Sequence, residues 1–497
     1  MAQRHMDRLT SFDTSFLTNE KSNGHMAIGA LLMCEGSPPG PDDFLAHIRS
    51  RLHQLPRLRQ RLLYPPLGLG TPFWVDYPGF DVHQHLSRVS LPAPGTEAQF
   101  QDLVGELLAP PLDRSKPLWE LILVEGFEDD RFAIVYKTHH AMADGISAVD
   151  IGMLLFDVEP RSEPAREEVP WTPAKSPSKL ALLARAGSGV AATVARMVRW
   201  LRRALEEPGR ARRRAADGLI GLWEVTWNLV RPAPQVPFNA EIGPRRSFCW
   251  ANFDLADFKQ VKNALGGTVN DVTLTVVAAA LRRWLLEREV GVDGLELKAL
   301  VPVSIRTENE HGELGNKLTA MRGPLPVGIE DPVERLRAVS ADMDALKDSK
   351  QPLGAEAIWG LNDWFRDFAP PVLLRPTAAI NFSTRLFNLL VTNFPGPQMP
   401  FYVLGQELTA VYPIGFLAKG HALAIAILSY NGQVGFGLLA DPETVPDAER
   451  IAGHLAASVA ELKAAAAQIA SPASDGDDLA GDDRPRFARE RERLGGA

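Results

Sequence analysis

A run that reads as a strand, Phe132-Ala133-Ile134-Val135-Tyr136-Lys137-Thr138, leads directly into His139-His140-Ala141-Met142-Ala143-Asp144-Gly145, and a helical pattern follows from Ser147 to Phe156. Two imidazoles and a carboxylate therefore emerge at a strand-to-helix junction, where side chains are held by the ends of two regular elements. Few local patterns restrict a fold as strongly, because the strand must be buried while the polar groups at its end must find partners. Catalytic side chains are often placed at such junctions.

The chain has 497 residues, too many for one hydrophobic core, and two domains of roughly 150 to 250 residues are expected. With 45% hydrophobic and 23% charged residues it is globular, and its net charge of −8 is spread without a basic footprint for nucleic acid. Cys34 and Cys249 are the only cysteines, which makes neither a disulfide framework nor a zinc-finger spacing and fits a reducing compartment. Residues 1–23 lack a secretory pattern, and no run reaches about 18 consecutive apolar residues. The expectation is a cytosolic protein that does not span a membrane and is free to lie on one.

Strand and helix signals alternate along the first part. Ala27 to Met33 is an expected strand, and Phe44, Leu45, Ile48, Leu52 and Leu55 make a helical stripe over Asp42 to Leu55. Residues 56–72 read as an irregular loop leading to Phe73-Trp74-Val75. A helix over Thr96 to Ala109 is stopped by prolines before Glu120 to Glu125, which should pair with Phe132 to Thr138 as a hairpin.

Between Val158 and Pro177 the composition turns to Pro, Glu, Ser and Arg, the mark of an exposed linker. Beyond it Val190, Val194, Met197, Leu201 and Leu205 recur every three or four residues, with Arg196, Arg199, Arg202 and Arg203 largely on another face. Arginine above an apolar face is the composition of a helix lying in a membrane interface, and equally of a linker helix packed on its own protein.

The second part offers strands at Phe248 to Leu255 and Lys298 to Ile305, a long helix from Val269 to Arg288, and a helix from Pro332 to Leu346. One or two helices are expected in Ala357 to Leu374 and a short strand at Leu389 to Asn393. Leu408 to Ile414, Ala422 to Leu428 and Val434 to Ala440 look like a meander before the closing helix, Arg450 to Ile469. After Ser471 the composition is that of a disordered tail.

The chemistry open to paired histidines can be narrowed. Zinc on a helix needs His-Glu-x-x-His, which is missing, and adjacent residues at a strand end point to opposite faces. There is no Gly-x-Ser-x-Gly elbow, and Gly266-Gly267 opens a helix without forming a dinucleotide or phosphate loop. A single histidine acting as general base fits what remains, since an imidazole of pKa about 6.5 can accept a hydroxyl proton. Asp271, in the first turn of the long helix, is explained by the helix dipole; Asn270 beside it is free to face a ligand.

His139 to Gly145 resembles the His-His-x-x-x-Asp-Gly signature of the CoA-dependent acyltransferase superfamily. Pro117-Leu118-Trp119, Asn270-Asp271, Val301-Pro302-Val303-Ser304-Ile305-Arg306 and Asn393-Phe394-Pro395-Gly396-Pro397 narrow the resemblance to the bacterial wax ester synthase/diacylglycerol acyltransferase family, over about Leu9 to Ile469. Phe394 departs from the small residue usual there.

The resemblance implies an α/β fold of two similar chloramphenicol-acetyltransferase-like domains, each a mixed sheet with helices, and an active-site tunnel between them. The expected division is 1–159, a helical basic crossover at 160–240, a second domain at 241–470 and the tail at 471–497. It implies transfer of a long-chain acyl group from acyl-CoA, as co-substrate and with no permanently bound cofactor or metal, to a fatty alcohol or a diacylglycerol.

In this reading His140 is the base and His139 shapes the site. Asp144 pairs with Arg306 to hold the loop, and Gly145 meets a backbone requirement. Asn270 is the candidate oxyanion donor, with a purely structural role as the alternative. Pro117, Trp119, Asn393, Pro395 and Gly396 are candidate substrate contacts, Pro117 and Trp119 being equally readable as core anchors. Substrates that partition into lipid favour peripheral attachment, through Arg196, Arg199, Arg202 and Arg203, to the inner membrane face or to lipid droplets. A non-catalytic lipid- or partner-binding member of the same fold and an acyltransferase for another alcohol stay open.

Overall fold

A computed structural model of the chain describes residues 6–20, 23–66, 70–143, 156–160, 169–185, positions 195, 198, 199, 202, 205 and 206, and residues 232–304, 318–348 and 382–470. The first part runs β1 (Met6–Arg8), α1 (Ser11–Asn19), β2 (Ala27–Glu35), α2 (Pro41–Arg51), β3 (Gln60–Leu63), β4 (Phe73–Asp76) and β5 (Leu86–Ser90). It continues through α3 (Glu97–Leu108), β6 (Trp119–Glu125), β7 (Arg131–His139) and the short α4 (His140–Ala143). After residue 232 come β8 (Ser247–Asp254), α5 (Leu255–Leu265), α6 (Val269–Leu286), β9 (Leu297–Ser304), β10 (Leu318–Leu325) and α7 (Pro332–Asp348). The last elements are β11 (Leu389–Pro395), β12 (Tyr402–Val403), β13 (Gln406–Ile414), β14 (Leu423–Tyr430), β15 (Gln433–Ala440) and α8 (Ala448–Ala470).

Local chemistry sets several of these boundaries. Thr96 and Gln99 close a reciprocal capping box that starts α3, and Thr268 and Asp271 do the same for α6. Pro41 in the first turn of α2, with Asp42 and Asp43 there and Arg49 and Arg51 in its last turn, suits the helix dipole. The α6 helix is apolar on nearly every side, from Val272 to Leu285, and is accordingly enclosed in the core. No single described helix is long and apolar enough to cross a membrane; α5 and α6 pass that test only as a pair bent by 100°.

Among the described residues the strands make two six-stranded sheets and one of three strands, β1-β4-β3. The first large sheet has the order β12-β13-β2-β7-β6-β5, the second β10-β9-β11-β14-β15-β8. Both are mixed: β5 and β6 are parallel, as are β11 with β9 and with β14, while the other pairs are antiparallel. The expected hairpin of β6 and β7 is present, and its register sets Trp119 opposite Thr138. On the other side β2 sets Ala27 opposite His139.

Two expectations need correction. Residues 56–72 are not all loop, because Pro56–Arg59 forms a 3₁₀ turn and β3 pairs with β4. The expected meander is broken: β14 and β15 pair, but β13 leaves them and pairs with β2, with Ile414 opposite Gly29. Strand propensity marks a segment as extended and does not name its partner.

The exchanged strand also passes close over the second sheet. A Cβ placed on Gly435 would lie 2.2 Å from the Val411 carbonyl oxygen, and one on Gly437 would lie 2.0 Å from that of Pro413. Both glycines fall on one face of β15, so the backbone of β13 rests where side chains would otherwise stand. The obstacle is main chain on both sides and has little room to yield. Gly437→Ala should therefore lower stability by about 1–3 kcal/mol or more, read as a lower urea midpoint. Gly453→Ala, on α8 with open space around the new methyl, should hold or raise that midpoint.

Candidate active site

The junction expected from sequence is built as β7 followed at once by α4, so His139 is the last residue of the strand and His140 the first of the helix. The His140 amide donates to the Met26 carbonyl at 2.9 Å, which ties the start of α4 to the end of the segment before β2. The His140 ring lies on Phe16 of α1, with centroids 3.9 Å apart and planes 12° from parallel. Phe416, two residues beyond β13, presents an edge to it at 5.5 Å and 87°. Phe12 and Phe382 extend this aromatic group through Phe16.

Enclosure by these rings disfavours the charged imidazole and pushes the pKa of His140 down to about 4; a hydrogen bond to its own backbone acts in the opposite direction, and His139 adds to the lowering. An imidazole reaches its own carbonyl through Nδ1, which leaves Nε2 with the lone pair. Stacking by Phe16 covers one face of the ring, whereas that lone pair lies in its plane. His140 is thus an uncharged proton acceptor at neutral pH.

His139 is enclosed, at 1% exposure, and has both nitrogens occupied. Its Nδ1 accepts from the Ala141 amide at 3.0 Å, and its Nε2 lies 2.9 Å from Oε2 of Glu20. An Nδ1 that accepts carries no proton, so the hydrogen is on Nε2 and is donated to Glu20. The same carboxylate oxygen receives Arg114, through Nε at 3.1 Å and through Nη2. Burial alone would raise the pKa of Glu20, but the hydrogen bonds from His139 and Arg114 outweigh it and hold the carboxyl down to about 2.

Glu20, Arg114, Phe16 and Phe416 did not stand out in the sequence. A signal existed for α1: Thr10 Oγ1 accepts from the Asp13 amide, the Thr-x-x-Asp opening of a helix, which would have placed Phe16 and Glu20 one turn apart.

The other candidates fall in distinct surroundings. Asn270, in the first turn of α6, accepts at Oδ1 from Asn393 Nδ2 at 3.1 Å, so these two residues are brought together. Asp271 receives the Thr268 amide at 2.8 Å and the Ser340 hydroxyl at 3.0 Å, the surroundings of a helix cap. Gly396 passes so close to β14 that a Cβ would lie 2.3 Å from the Ser429 carbonyl oxygen, and Pro395 is exposed. Pro117 is buried. Trp119 is fully enclosed, stacked on His85 at 4.6 Å, and donates from Nε1 to the Leu58 carbonyl at 2.8 Å, the setting of a core anchor.

Asp144, Gly145 and Arg306 lie outside the described residues, as do Arg196 and Arg203, the helices expected in 357–374 and the tail after Ser471. Arg199 and Arg202 are exposed on helical backbone, near Leu205 at 81% exposure. Asn270 with Asn393, and His140 with Phe16 and Phe416, stand among the described residues as two groups that border one core, to which Val272, Val391, Phe16 and Phe416 all belong.

Two mixed sheets joined by an exchanged strand, with a neutral histidine at the junction of strand and helix, are the build of a chloramphenicol-acetyltransferase-like acyltransferase. The starter condensation domain of rhizomide synthetase, in a structure with C8-CoA, has the same fold, with a TM-score of 0.54 at 17% identity over 95% of this chain and 97% of that one.

The chain belongs to the wax ester synthase/diacylglycerol acyltransferase family: residues 9–273 match its catalytic domain and residues 314–463 its C-terminal domain. It is 32% identical over 467 residues to a probable diacylglycerol O-acyltransferase of Mycobacterium tuberculosis, covering 92% of this chain and 96% of that relative. A wax ester synthase/diacylglycerol acyltransferase from Marinobacter aquaeolei superposes with a TM-score of 0.64 at 25% identity, covering 93% of this chain and 99% of that one. The protein is an acyl-CoA-dependent O-acyltransferase.

Four histidines bear on stability. His25, His85, His140 and His421 are each pushed down to about 4, chiefly by burial, from about 6.5 in the unfolded chain. The unfolded state then takes up protons between pH 6.5 and 4 that the folded state does not, so this stability is complete above 6.5 and is lost as pH falls towards 4. The loss is about 1.4 kcal/mol per pH unit for each such histidine. The urea midpoint should drop clearly from pH 7 to pH 5; an unchanged midpoint would contradict the burial of these rings.

Proposed function

We propose that the chain transfers a long-chain acyl group from acyl-CoA directly to the hydroxyl of a fatty alcohol, giving a wax ester, or of a diacylglycerol, giving a triacylglycerol. His140 Nε2 takes the hydroxyl proton as the oxygen attacks the thioester carbonyl. The tetrahedral intermediate collapses, the carbon–sulfur bond breaks, and the thiolate leaves with the proton from His140. No acyl-enzyme forms, acyl-CoA is consumed as co-substrate, and no resident cofactor or metal takes part. The observation that carries this reading is the His140 ring at the junction of strand and helix, stacked on Phe16, met by Phe416 at a right angle and held neutral.

Asn270 is the proposed donor to the oxyanion. Support comes from Asn393, which engages Oδ1 of Asn270 and so turns the amide hydrogens of Asn270 towards other partners. Asp144 paired with Arg306 braces the loop after α4, and Gly145 gives it a conformation that a side chain would obstruct. We place the acyl passage between the halves 1–159 and 241–470; a narrow cleft of about 10 Å³ there is lined by Ala27, Ile28, Leu108, Ile414, Gly415 and Leu439 together with His25 and Lys137. Asn393, Pro395 and Gly396 are proposed to border it from the second half.

With palmitoyl-CoA and either hexadecanol or a diacylglycerol, release of free CoA thiol is the assay. His140→Ala should lower kcat by about 10²–10⁴-fold and Asn270→Ala by about 10²–10³-fold in folded protein. Because His140 must be unprotonated, kcat/KM should be level through pH 6.5 and fall only as pH approaches about 4. A His140→Ala protein that keeps most of its activity would refute the base, and a failure to release thiol with either acceptor would favour a lipid-binding role or another alcohol.

We further propose that the crossover at 160–240 attaches the enzyme peripherally to the inner membrane face or a lipid droplet, where its acceptors reside. Exposed Arg199, Arg202 and Leu205 support this. Replacing Arg196, Arg199, Arg202 and Arg203 by glutamine should weaken co-sedimentation with anionic vesicles. Undiminished binding would reject this surface.

A further inference from the structure

One short helix touches both histidines. Phe16 and Glu20 are four residues apart at the end of α1, and the Glu20 amide donates to the Phe16 carbonyl at 3.0 Å, so they form successive steps of one helical face. Phe16 lies against the ring of His140, and Glu20 accepts from the ring of His139. Arg114 fastens this end of α1 by donating to the Leu17 carbonyl at 2.9 Å and to Glu20. The Glu20 carboxylate is 9% exposed and His139 1%, so water competes little for these bonds.

The consequence reaches the base through the backbone. A carboxylate at Nε2 requires the His139 proton there, and this leaves Nδ1 to receive the Ala141 amide, a first-turn donor of α4 that has no partner within the helix. Ala141 is the next residue after His140, whose own amide is held by Met26. The His140 backbone is therefore pinned on both sides, and one of the two pins exists only for the Nε2–H tautomer of His139.

We infer that Glu20 is a positioning residue of the acyl transfer: by accepting from His139 it sets the tautomer that fixes the first turn of α4, while Phe16 on the same helix orients the His140 ring. Glu20 touches no substrate. Its effect is exerted on how the base is held, so it belongs in kcat and not in the binding of either substrate. The inference rests on His140 as base, and it makes a separate claim about His139 that holds whether or not acyl transfer is observed.

Glutamine and alanine at position 20 separate this role from that of a simple ion pair with Arg114. The glutamine amide oxygen can still accept from His139 Nε2 but cannot pair its charge with Arg114. Glu20→Ala should reduce kcat about 10- to 100-fold with KM for palmitoyl-CoA and hexadecanol within about twofold of wild type. Glu20→Gln should recover most of that kcat even where its melting temperature stays low.

The proposal is overturned by a folded Glu20→Ala protein with wild-type kcat, or by Glu20→Gln no more active than Glu20→Ala. Should Glu20→Ala fail to fold, the ¹⁵N spectrum of histidine-labelled wild-type protein decides, in full-length enzyme and without an activity assay. His139 protonated only at Nε2 supports the assignment, and a proton on Nδ1 or a mixture of tautomers rejects it. Loss of activity in His140→Ala with that spectrum unchanged distinguishes the base from the residues that hold it.

Discussion

The contact on which the rest of the molecule depends is the passage of one backbone over another, β13 across the glycine face of β15. Two sheets that face each other through full side chains stand about 10 Å apart; here Gly435 and Gly437 remove the side chains at the crossing. That approach allows β13 to serve the first sheet as the neighbour of β2 while it stays packed on the second. Phe416 follows two residues after β13, and it is Phe416 that stands at a right angle to the His140 ring. His140, the proposed base, is thus flanked by α1 from the beginning of the chain and by a residue from near its end.

Enclosure gives His140 its chemical character and also limits it. A histidine pushed down to about 4 is a weaker base than a free imidazole, yet it is almost wholly in the reactive form at neutral pH. The trade favours a reaction in which the proton moves while the oxygen bonds to the acyl carbon, so that no free alkoxide has to be formed. Phe16 covers one face of the imidazole and Phe416 stands perpendicular to it, whereas a nitrogen lone pair lies in the ring plane, the direction from which a hydroxyl would come. His139 is treated oppositely: both its nitrogens are used, and it is part of the scaffold.

Much of this was legible locally. The strand run leading into His139, the helices begun near Thr96 and at Val269 and the hairpin of β6 with β7 follow from periodicity and from the prolines that stop α3. The partner of β13 was not legible, because an extended, alternating segment suits β2 or β14 equally well and only the shape of the assembled sheets decides. The nine-residue α1 carries a weak apolar stripe, so Phe16 and Glu20 stayed hidden although Thr10 and Asp13 marked the start of the helix. Trp119 was ambiguous for a different reason: an indole before a strand can border a ligand or fill a core, and only its bond to the Leu58 carbonyl and the His85 ring against it speak for the second.

The exchanged strand has a consequence for the chain as it is made. Until β13 has been synthesised, β2 has β7 on one side and an open edge on the other, along a segment as apolar as Ala27 to Cys34. The Thr409 hydroxyl that finally donates to the Met33 carbonyl lies 376 positions away, a delay on the order of tens of seconds at ordinary elongation rates. Throughout that interval the first half offers other chains an unpaired, hydrophobic strand edge, the feature most prone to wrong association. The nascent first half is therefore the point at which this protein most needs a chaperone, and any fragment ending before residue 406 keeps that edge permanently.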